Sequence, residues 1–240
     1  MGIATAAPPA EGVRLALLDA FELRLDGDAV ALPPSAQRLL ALLALHERPL
    51  LRPYVAGLLW LETPEERASA NLRSSLWRLN RPGPRLVEAT NMQLRLDPTV
   101  HVDVRDTVAV AQQLLGEPDA DPIELDPSTL TGELLPDWYD DWVLLERERL
   151  RQLSLHALEA LGERLLAAGL LGRALEAALA AIAMEPLRES AHRLLIKIHL
   201  AEGNPSEAIR QLELCRTLLR EQLGLAPSAQ LEELVAGLTN

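Results

Sequence analysis

Two segments in the second half of the chain are related by a spacing of 34 residues. The spacing joins three pairs of positions: Gly169 with Gly203, Ala174 with Ala208, and Leu175 with Ile209. This period is typical of stacked helical hairpins, in which small alanines let paired helices approach closely. The run Gly203 to Glu207 combines a helix-ending glycine with a cap, a first-turn proline and an acid for the next helix. The second half is therefore predicted to be a stack of helices.

The most informative stretch of the first half runs from Thr63 to Arg81. Thr63 and Glu66 have the spacing of a capping box, and Pro64 stands where a helix accepts proline. At helical spacing one side of the segment is apolar: Ala68, Leu72, Leu76 and Leu79. The other side carries Arg67, Asn71, Arg73, Ser74, Arg78 and Arg81. The pattern predicts an amphipathic helix with a cationic outer face.

Shorter elements are predicted around this helix. Apolar runs at 13–18, 21–25 and 29–32, with a turn at Asp26-Gly27, indicate a small antiparallel sheet. Two helices follow, starting at Pro33-Pro34 and Pro53. Strands at 86–90 and 93–96 flank Asn91-Met92, and Val100, Val102 and Val104 continue the strand pattern. A sheet, three helices and a terminal hairpin predict a winged helix-turn-helix, whose third helix enters the major groove of DNA.

The charge of the chain is divided between its halves. The net charge of −12 splits into −1 for residues 1–106 and −11 for residues 107–240. Between Arg67 and Arg95 six arginines face one acid, Glu88, so a polyanion would bind there. Arg73, Ser74 and Arg78 are the base or groove candidates, while Arg67, Arg81, Arg85 and Arg95 are placed for phosphates. Asn91 or Gln93 of the hairpin would reach sugar or the minor groove, and Asn71 shares the cationic face; the alternative is a merely solvated basic face.

Residues in both halves resemble one family of bacterial regulators. The element order, with Trp60, Leu72, Leu76, Arg78 and Leu79, resembles the OmpR/PhoB-type DNA-binding domain in its SARP/AfsR version. Trp77 and Asn80 depart from that pattern. The run 134–143, followed by Glu146 to Leu150, resembles the opening of the bacterial transcriptional activator domain, and 221–228 resembles its end. The two resemblances span residues 13–238.

The resemblance implies a fold class, a domain order and a function. The expected fold is mainly α with a small β component: an N-terminal winged helix-turn-helix and a C-terminal α-helical TPR-like repeat domain. The expected parts are a disordered arm (1–11), a winged-helix domain (12–106), a connecting helix or loop (107–130) and the TPR-like domain (131–240). The implied function is sequence-specific DNA binding by a cytoplasmic transcription regulator. It would act as an activator on double-stranded DNA at promoter repeats, through RNA polymerase, with a homodimer as one arrangement.

Other functions find little support in the sequence. Cys215 is the only cysteine, which excludes an intramolecular disulfide, and its helical apolar context suggests packing. We find no phosphate loop, no Gly-x-Ser-x-Gly elbow, no dinucleotide fingerprint and no membrane-spanning run, so we expect no enzyme, no cofactor and no membrane partner. His192 and His199 lack a third ligand, so no metal is expected.

Two groups of residues have a structural interpretation, and one alternative function stays open. Asp137, Asp140 and Asp141 are taken as first-turn residues of a helix anchored by Trp138 and Trp142 rather than as catalytic carboxylates. Trp77 is expected to pack against neighbouring elements. The alternative function is a TPR-type interaction module whose winged helix does not read DNA. The excess of arginines argues against that alternative.

Overall fold

The computed structural model describes residues 12–79, 84–116 and 125–237. The predicted arm, Arg81 and the turn Pro82-Gly83 lie outside these residues. Among the described residues the chain forms two compact units. The first unit contains the residues up to Asp106 together with Glu133–Arg149, and the second contains Thr107–Gly132 together with the residues from Leu150 onward. The domain limits predicted from the sequence describe segments that fold independently. The division into compact units does not test that, so these limits stay a prediction.

The first unit has the predicted order of sheet, three helices and hairpin. Its elements are β1 (Val13–Ala16), β2 (Glu22–Leu25), β3 (Asp28–Ala29), α1 (Pro34–Ala44), β4 (Leu50–Leu51), α2 (Arg52–Leu59), α3 (Glu65–Leu79), β5 (Val87–Ala89), β6 (Gln93–Leu96) and β7 (Val100–Val102). The turn between β2 and β3 is the predicted one, because Asp26 and Gly27 both have positive φ, at 50° and 92°. The core of this unit is built on α1, whose leucines at 39, 40, 42 and 43 are buried.

The strands form two sheets, and one of them differs from the prediction. The first sheet has the order β3-β2-β1-β7, and the second has the order β4-β6-β5. β7 pairs in parallel with β1, with Val13 opposite Val100. The predicted continuation of the strand to Val104 is wrong, because a helix starts at Asp103. The Asp103 carboxylate accepts hydrogen bonds from the backbone N–H groups of Leu17 (2.9 Å) and Leu18 (3.1 Å), which closes the end of β1.

Residues 133–149 are bonded to the start of the first unit. The backbone N–H of Leu135 donates to the carbonyl of Leu17 at 2.9 Å, and that of Asp19 donates to the carbonyl of Glu133 at 2.7 Å. The Trp138 ring stacks on Phe21, with centroids 5.8 Å apart and an interplanar angle of 17°. Arg147 donates to the carbonyls of Leu134, Leu135 and Trp138. The segment therefore belongs to the packing of the winged-helix unit.

The remaining elements are helical. They are α4 (Asp103–Gly116), the 3-10 turn Pro127–Leu130, α5 (Asp141–Ala167), α6 (Leu171–Met184), α7 (Glu189–Ala201), α8 (Pro205–Leu223) and α9 (Ala229–Glu233). α4 and α5 contribute their first residues to the first unit and the rest to the second. With these helices, the predicted fold class, mainly α with a small β component, is confirmed.

The 34-residue repeat of the second unit is visible in its backbone. Gly169 follows α5 and Gly203 follows α7, with φ values of 74° and 75°, so both end a helix in the left-handed conformation. Ala174 and Ala208 are fully buried in the helices that come next. The predicted cap at Asn204 is wrong in detail, because its side chain makes no capping bond and donates to Glu202 at 3.3 Å. Within the described residues, no helix is long and apolar enough to cross a membrane.

Candidate nucleic-acid interface

Helix α3 separates an apolar side from a polar side, as predicted. Glu65 and Glu66 lie in its first turn, where carboxylates interact favourably with the helix dipole. Ala68, Leu72, Leu76 and Leu79 are at most 5% exposed and fix this helix against the core. The side opposite to these residues is therefore held towards solvent.

All the described site residues of α3 are on the solvent side. Arg67, Asn71, Arg73, Ser74 and Arg78 are exposed. At about 100° per residue, Arg67, Asn71, Ser74 and Arg78 fall in one row along the helix, which we call the α3 row. Arg73 points about 140° away from Arg78 around the helix axis. The exposed arginines of α3 thus point in two directions: Arg67 and Arg78 along the α3 row, and Arg73 away from it.

The arginines of α3 carry no partner within the part of the chain that the structure describes. Arg67, Arg73 and Arg78 make neither an ion pair nor a hydrogen bond with a described residue. A guanidinium group offers five N–H donors in a planar fork, which suits phosphate oxygens and the acceptor edge of guanine. These three arginines are therefore available to an external anion.

The wing is the hairpin of β5 and β6, and its tip is ordered by Thr90. The Thr90 hydroxyl accepts hydrogen bonds from the backbone N–H groups of Met92 (3.3 Å) and Gln93 (3.0 Å). The Thr90 N–H donates to the Gln93 carbonyl at 2.9 Å. Asn91, Met92 and Gln93 are exposed on this turn. The two predicted wing residues are thus presented on a fixed loop.

The predicted phosphate contacts of the wing region differ from one another. Arg85 is exposed and donates from Nε to the Val87 carbonyl at 3.3 Å. Arg95 is half-buried and forms an ion pair with Glu88 at 2.7 Å. Arg81 lies outside the described residues. Arg85 therefore presents the freer charge of the two described arginines.

Arg52, the first residue of α2, was not identified as a site residue from the sequence. Its backbone N–H donates to the Met92 carbonyl at 2.9 Å, and its Nη1 donates to the Thr90 carbonyl at 2.9 Å. These bonds join α2 to the wing tip beside the pairing of β4 with β6. A strand of two residues leaves no periodic pattern, and the contact spans nearly forty positions. No local signal in the sequence could have indicated it.

Trp77 is not packed in the way the sequence suggested. Its side chain is 66% exposed. It borders a groove with Arg78, Pro84 and the β2 residues Leu23 and Leu25. The expected packing of the ring against neighbouring elements is therefore only partial, because Trp77 lies outside the side of α3 that carries the buried leucines.

The residues that were not expected to be catalytic or metal-binding have structural roles. His192 is fully buried: its Nε2 is 2.8 Å from the Pro186 carbonyl and its Nδ1 is 2.6 Å from Gln211 Nε2. Asp141 lies in the first turn of α5 as expected, but Asp137 and Asp140 precede the helix, so that prediction is wrong for these two; Asp140 pairs with Arg38 instead. Burial raises the pKa of the Cys215 thiol to about 11, which makes it a poor nucleophile. Among the described residues, no group of three His, Cys, Asp or Glu side chains is placed to hold a metal ion.

Comparison with known proteins agrees with this geometry. Residues 129–238 match the Bacterial transcriptional activator domain. Among solved structures, the chain is similar to Mycobacterium tuberculosis EmbR in complex with a low-affinity phosphopeptide, with a TM-score of 0.76 and 23% identity. The match covers 94% of this chain and 64% of that chain, so the chain spans less than two thirds of the length of the EmbR chain, and the match shows a shared fold. Among curated proteins, none matches the chain.

The first unit has the element order of a winged helix, and the second unit consists of helical hairpins. Residues 129–238 match the Bacterial transcriptional activator domain, and the chain shares its fold with EmbR. The resemblance of residues 134–150 and 221–228 to this domain is thereby confirmed, and the fold shared with EmbR agrees with the predicted architecture.

Proposed function

We propose that the protein binds double-stranded DNA sequence-specifically, with α3 in the major groove and the wing on the adjacent backbone or minor groove. The observation that carries this proposal is the set of exposed arginines on α3, Arg67, Arg73 and Arg78, which have no partner among the described residues. They are fixed by a buried leucine stripe and flanked by an ordered wing tip. No catalytic step is part of the proposal.

The α3 row is the base-reading element of this proposal, and Arg67, expected from the sequence to contact phosphate, is assigned to it because it shares this side of the helix with Arg78. It alternates Arg67, Asn71, Ser74 and Arg78, whose side chains include the preferred partners of guanine (Arg) and adenine (Asn). Arg85, Arg95 and Arg81 of the wing region would hold phosphates, and Asn91 and Gln93 would reach sugar or the minor groove. Because Arg95 already pairs with Glu88, its contribution should be the smaller of the two described phosphate contacts.

In this proposal the second unit makes the protein an activator of transcription. The residues of this unit, 107–132 and 150–240, hold 16 acidic and 9 basic side chains, a net charge of −7, so like charge disfavours DNA binding here and favours a protein partner. The match to an activator domain supports contact with RNA polymerase at promoter repeats. Two copies bound to adjacent repeats as a homodimer would raise the effective concentration at the promoter.

Recovery of bound genomic DNA, followed by titration of the purified full chain, tests the proposal. We expect enrichment of one repeated sequence, tight binding of that duplex, and weak, salt-sensitive binding of a shuffled duplex. Replacing Arg67, Arg73 and Arg78 together by alanine should abolish the preference. Arg210→Ala, at an exposed arginine of the second unit, is the matched control and should bind like the wild type.

Two outcomes would contradict the proposal at different levels. If no sequence is enriched and the wild-type chain binds duplex DNA no better than the triple variant does, the winged helix is a scaffold. The protein would then be an interaction module. If DNA binds but added RNA polymerase gives no increase in transcription from the recovered promoter, the activator role is wrong and the DNA-binding role stands.

A further inference from the structure

A groove in the first unit lies between the start of α2, the side of α3 and the tip of the wing. It has a volume of about 400 Å³, and its polar lining comes from Arg52, Ser69, Arg73 and Asn91. Met92 lines it as well, and its side chain is 66% exposed. We call this the wing groove. It lies on the Arg73 side of α3, away from the α3 row.

The chemistry of the wing groove is that of an anion site. Two guanidinium groups, one hydroxyl and one amide supply donors, and no acidic side chain lines the groove among the described residues. Arg73 has no partner within the same part of the chain. The Arg52 side chain uses Nη1 for its bond to Thr90, and its Nε and Nη2 make no further bond with a residue that the structure describes. Both arginines therefore keep donors for a phosphate group.

Arg52 also determines where the wing tip lies. One of its bonds runs from the backbone N–H to Met92 and the other from the side chain to Thr90, so both ends of the turn are attached to the first residue of α2. The same turn is closed internally by the Thr90 hydroxyl. Loss of the side-chain bond would leave the turn attached on one side only.

We infer that Arg52 is both a positioning residue for the wing and, with Arg73, a ligand for one phosphodiester of the DNA strand that passes between α3 and the wing. This inference rests on the proposed function. It places Arg73 on the backbone, not on a base edge, and leaves base reading to the α3 row. Recognition in the wing groove is sequence-independent, because phosphates carry no sequence information.

The phosphate role is tested by salt titration of the full chain with Arg52→Gln, Arg73→Gln and Arg52→Lys, and with Arg210→Gln as control. The probes are the recovered operator and a shuffled duplex. Each Gln variant should lower the slope of log affinity against log salt by about one unit, and the affinity at about 0.1 M salt roughly tenfold, on both duplexes. Arg52→Lys keeps the charge and should keep the slope. Arg210→Gln should change nothing.

The positioning role is tested without DNA, by amide hydrogen exchange of the same variants. The Met92 and Gln93 amides should exchange faster in Arg52→Gln than in the wild type, while those of α1 stay unchanged. Arg73→Gln is the matched control, since Arg73 makes no bond to the described wing residues, and its wing amides should exchange at the wild-type rate. Equal melting temperatures of all variants would show that the fold is intact.

Each result bears on a separate part of the inference. An unchanged salt slope for Arg52→Gln overturns the phosphate role, and an unchanged exchange rate overturns the positioning role. A loss confined to the operator in Arg73→Gln would make Arg73 a base-reading residue and would overturn its placement on the backbone. If the wild-type chain binds neither duplex, the proposed function fails and takes the phosphate role with it. The exchange experiment would still decide the positioning role.

Discussion

The arginines of α3 and the basic side chains of the second unit are used in opposite ways. In the second unit, basic side chains bridge helices: Arg188 pairs with Glu159 at 2.7 Å, Lys197 with Glu163 at 2.7 Å and Arg151 with Glu185 at 2.5 Å. On α3 of the first unit, the described arginines make no such pair. The paired charges contribute to the fold, and the unpaired ones contribute little to it. Free arginines of this kind are what binding a polyanion requires.

The Arg188–Glu159 pair shows what pairing does in the second unit. The Glu159 carboxylate accepts two hydrogen bonds from Arg188 and one from Ser190, and its side chain is 17% exposed. Burial alone would raise the pKa of Glu159, but these hydrogen bonds and the charge of Arg188 lower it below its usual value. The pair is thus a satisfied, largely buried contact between α5 and the start of α7. Five predictions test the contrast, from the largest effect to the smallest.

Trp138→Ala should have the largest effect, because its ring makes the main apolar contact of residues 133–149 with the start of the first unit. The ring stacks on Phe21 and meets Trp142 edge to face at 6.5 Å. We expect a loss of about 3 to 5 kcal/mol in the free energy of unfolding, measured by denaturant titration. The cavity arises in the winged-helix unit, whereas the sequence suggested the start of the helical domain.

The neighbouring residue supplies the control for Trp138. Tyr139 is 78% exposed, and Tyr139→Ala should change stability by less than about 0.5 kcal/mol. Equal losses at the two positions would mean that the aromatic stack does not hold this segment.

Arg188→Ala should destabilise the second unit by about 2 to 3 kcal/mol, because it leaves the largely buried Glu159 carboxylate without its charged partner. The measurement is again denaturant unfolding, followed with a probe in the second unit. Arg210→Ala is the matched control: Arg210 pairs with Glu207 on the same helix, and its side chain is 77% exposed. That substitution should cost about 0 to 0.5 kcal/mol. Similar costs for both would mean that the largely buried pair contributes no more to stability than an exposed one.

Arg78→Ala should leave stability unchanged and weaken operator binding by about 1 to 3 kcal/mol, as expected for a lost base contact of the α3 row. Fluorescence anisotropy with operator and shuffled duplexes measures the difference. An unaltered affinity would exclude Arg78 from the interface. A measurable drop in unfolding free energy would show that this arginine is not free in the folded protein.

Arg85→Ala is the natural companion of Arg78→Ala. It should weaken both duplexes alike and reduce the salt slope by about one unit, the mark of a lost phosphate contact. A loss seen on the operator alone would instead make Arg85 a base-reading residue.

The smallest effect concerns His192, a buried polar side chain whose two ring nitrogens face a carbonyl and an amide. Gln211 Nε2 can only donate, so His192 accepts through Nδ1 and donates from Nε2 to Pro186, which is the neutral ring. Burial lowers the pKa of His192, and this outweighs the hydrogen bond to Pro186 and the charge of Glu189, which raise it.

The sign of the pH dependence of stability follows from this lowered pKa. The unfolded chain binds the proton more readily, so the contribution of His192 is complete above the ordinary histidine pKa of about 6.5 and is lost as the pH falls below it. Unfolding of the wild type and of His192→Gln between about pH 5 and pH 8 measures this contribution. The variant should be about 1 kcal/mol less stable at neutral pH and should lack this part of the pH dependence. Parallel curves for the two proteins would assign the pH dependence to other groups.

Features set by neighbouring residues could be predicted from the sequence. Asp26-Gly27 supplies two residues that tolerate positive φ, which is enough to specify the β2–β3 turn. Gly169 and Gly203 repeat at the period of the helical hairpins and end their helices alike. The exposed side of α3 followed from the spacing of its leucines. In each case the physical cause acts within one turn or one helix.

Features set by distant pairing could not be predicted. The parallel pairing of β7 with β1 and the bond of Asp103 to Leu17 join residues more than eighty positions apart. Val104 continued the alternation of β7 in the sequence, yet the backbone already turns into α4 at Asp103. Arg52 was missed for the same reason, because its role depends on where the wing tip folds back. Trp77 packs less than expected because helical spacing places it outside the leucine side of α3.

The interleaving of the two units along the chain constrains how such a protein can be recombined. Along the chain, Thr107–Gly132 belongs to the second unit, and Glu133–Arg149, which follows it, belongs to the first unit again. A chain cut between Asp106 and Glu133, after the last strand of the first unit, loses the residues that bond to the backbone of Leu17 and Asp19. A junction after Arg149 keeps those bonds but carries part of the second unit along. No single cut of the chain therefore separates the two units, and a chimaera that exchanges the first unit has to take Glu133–Arg149 with it.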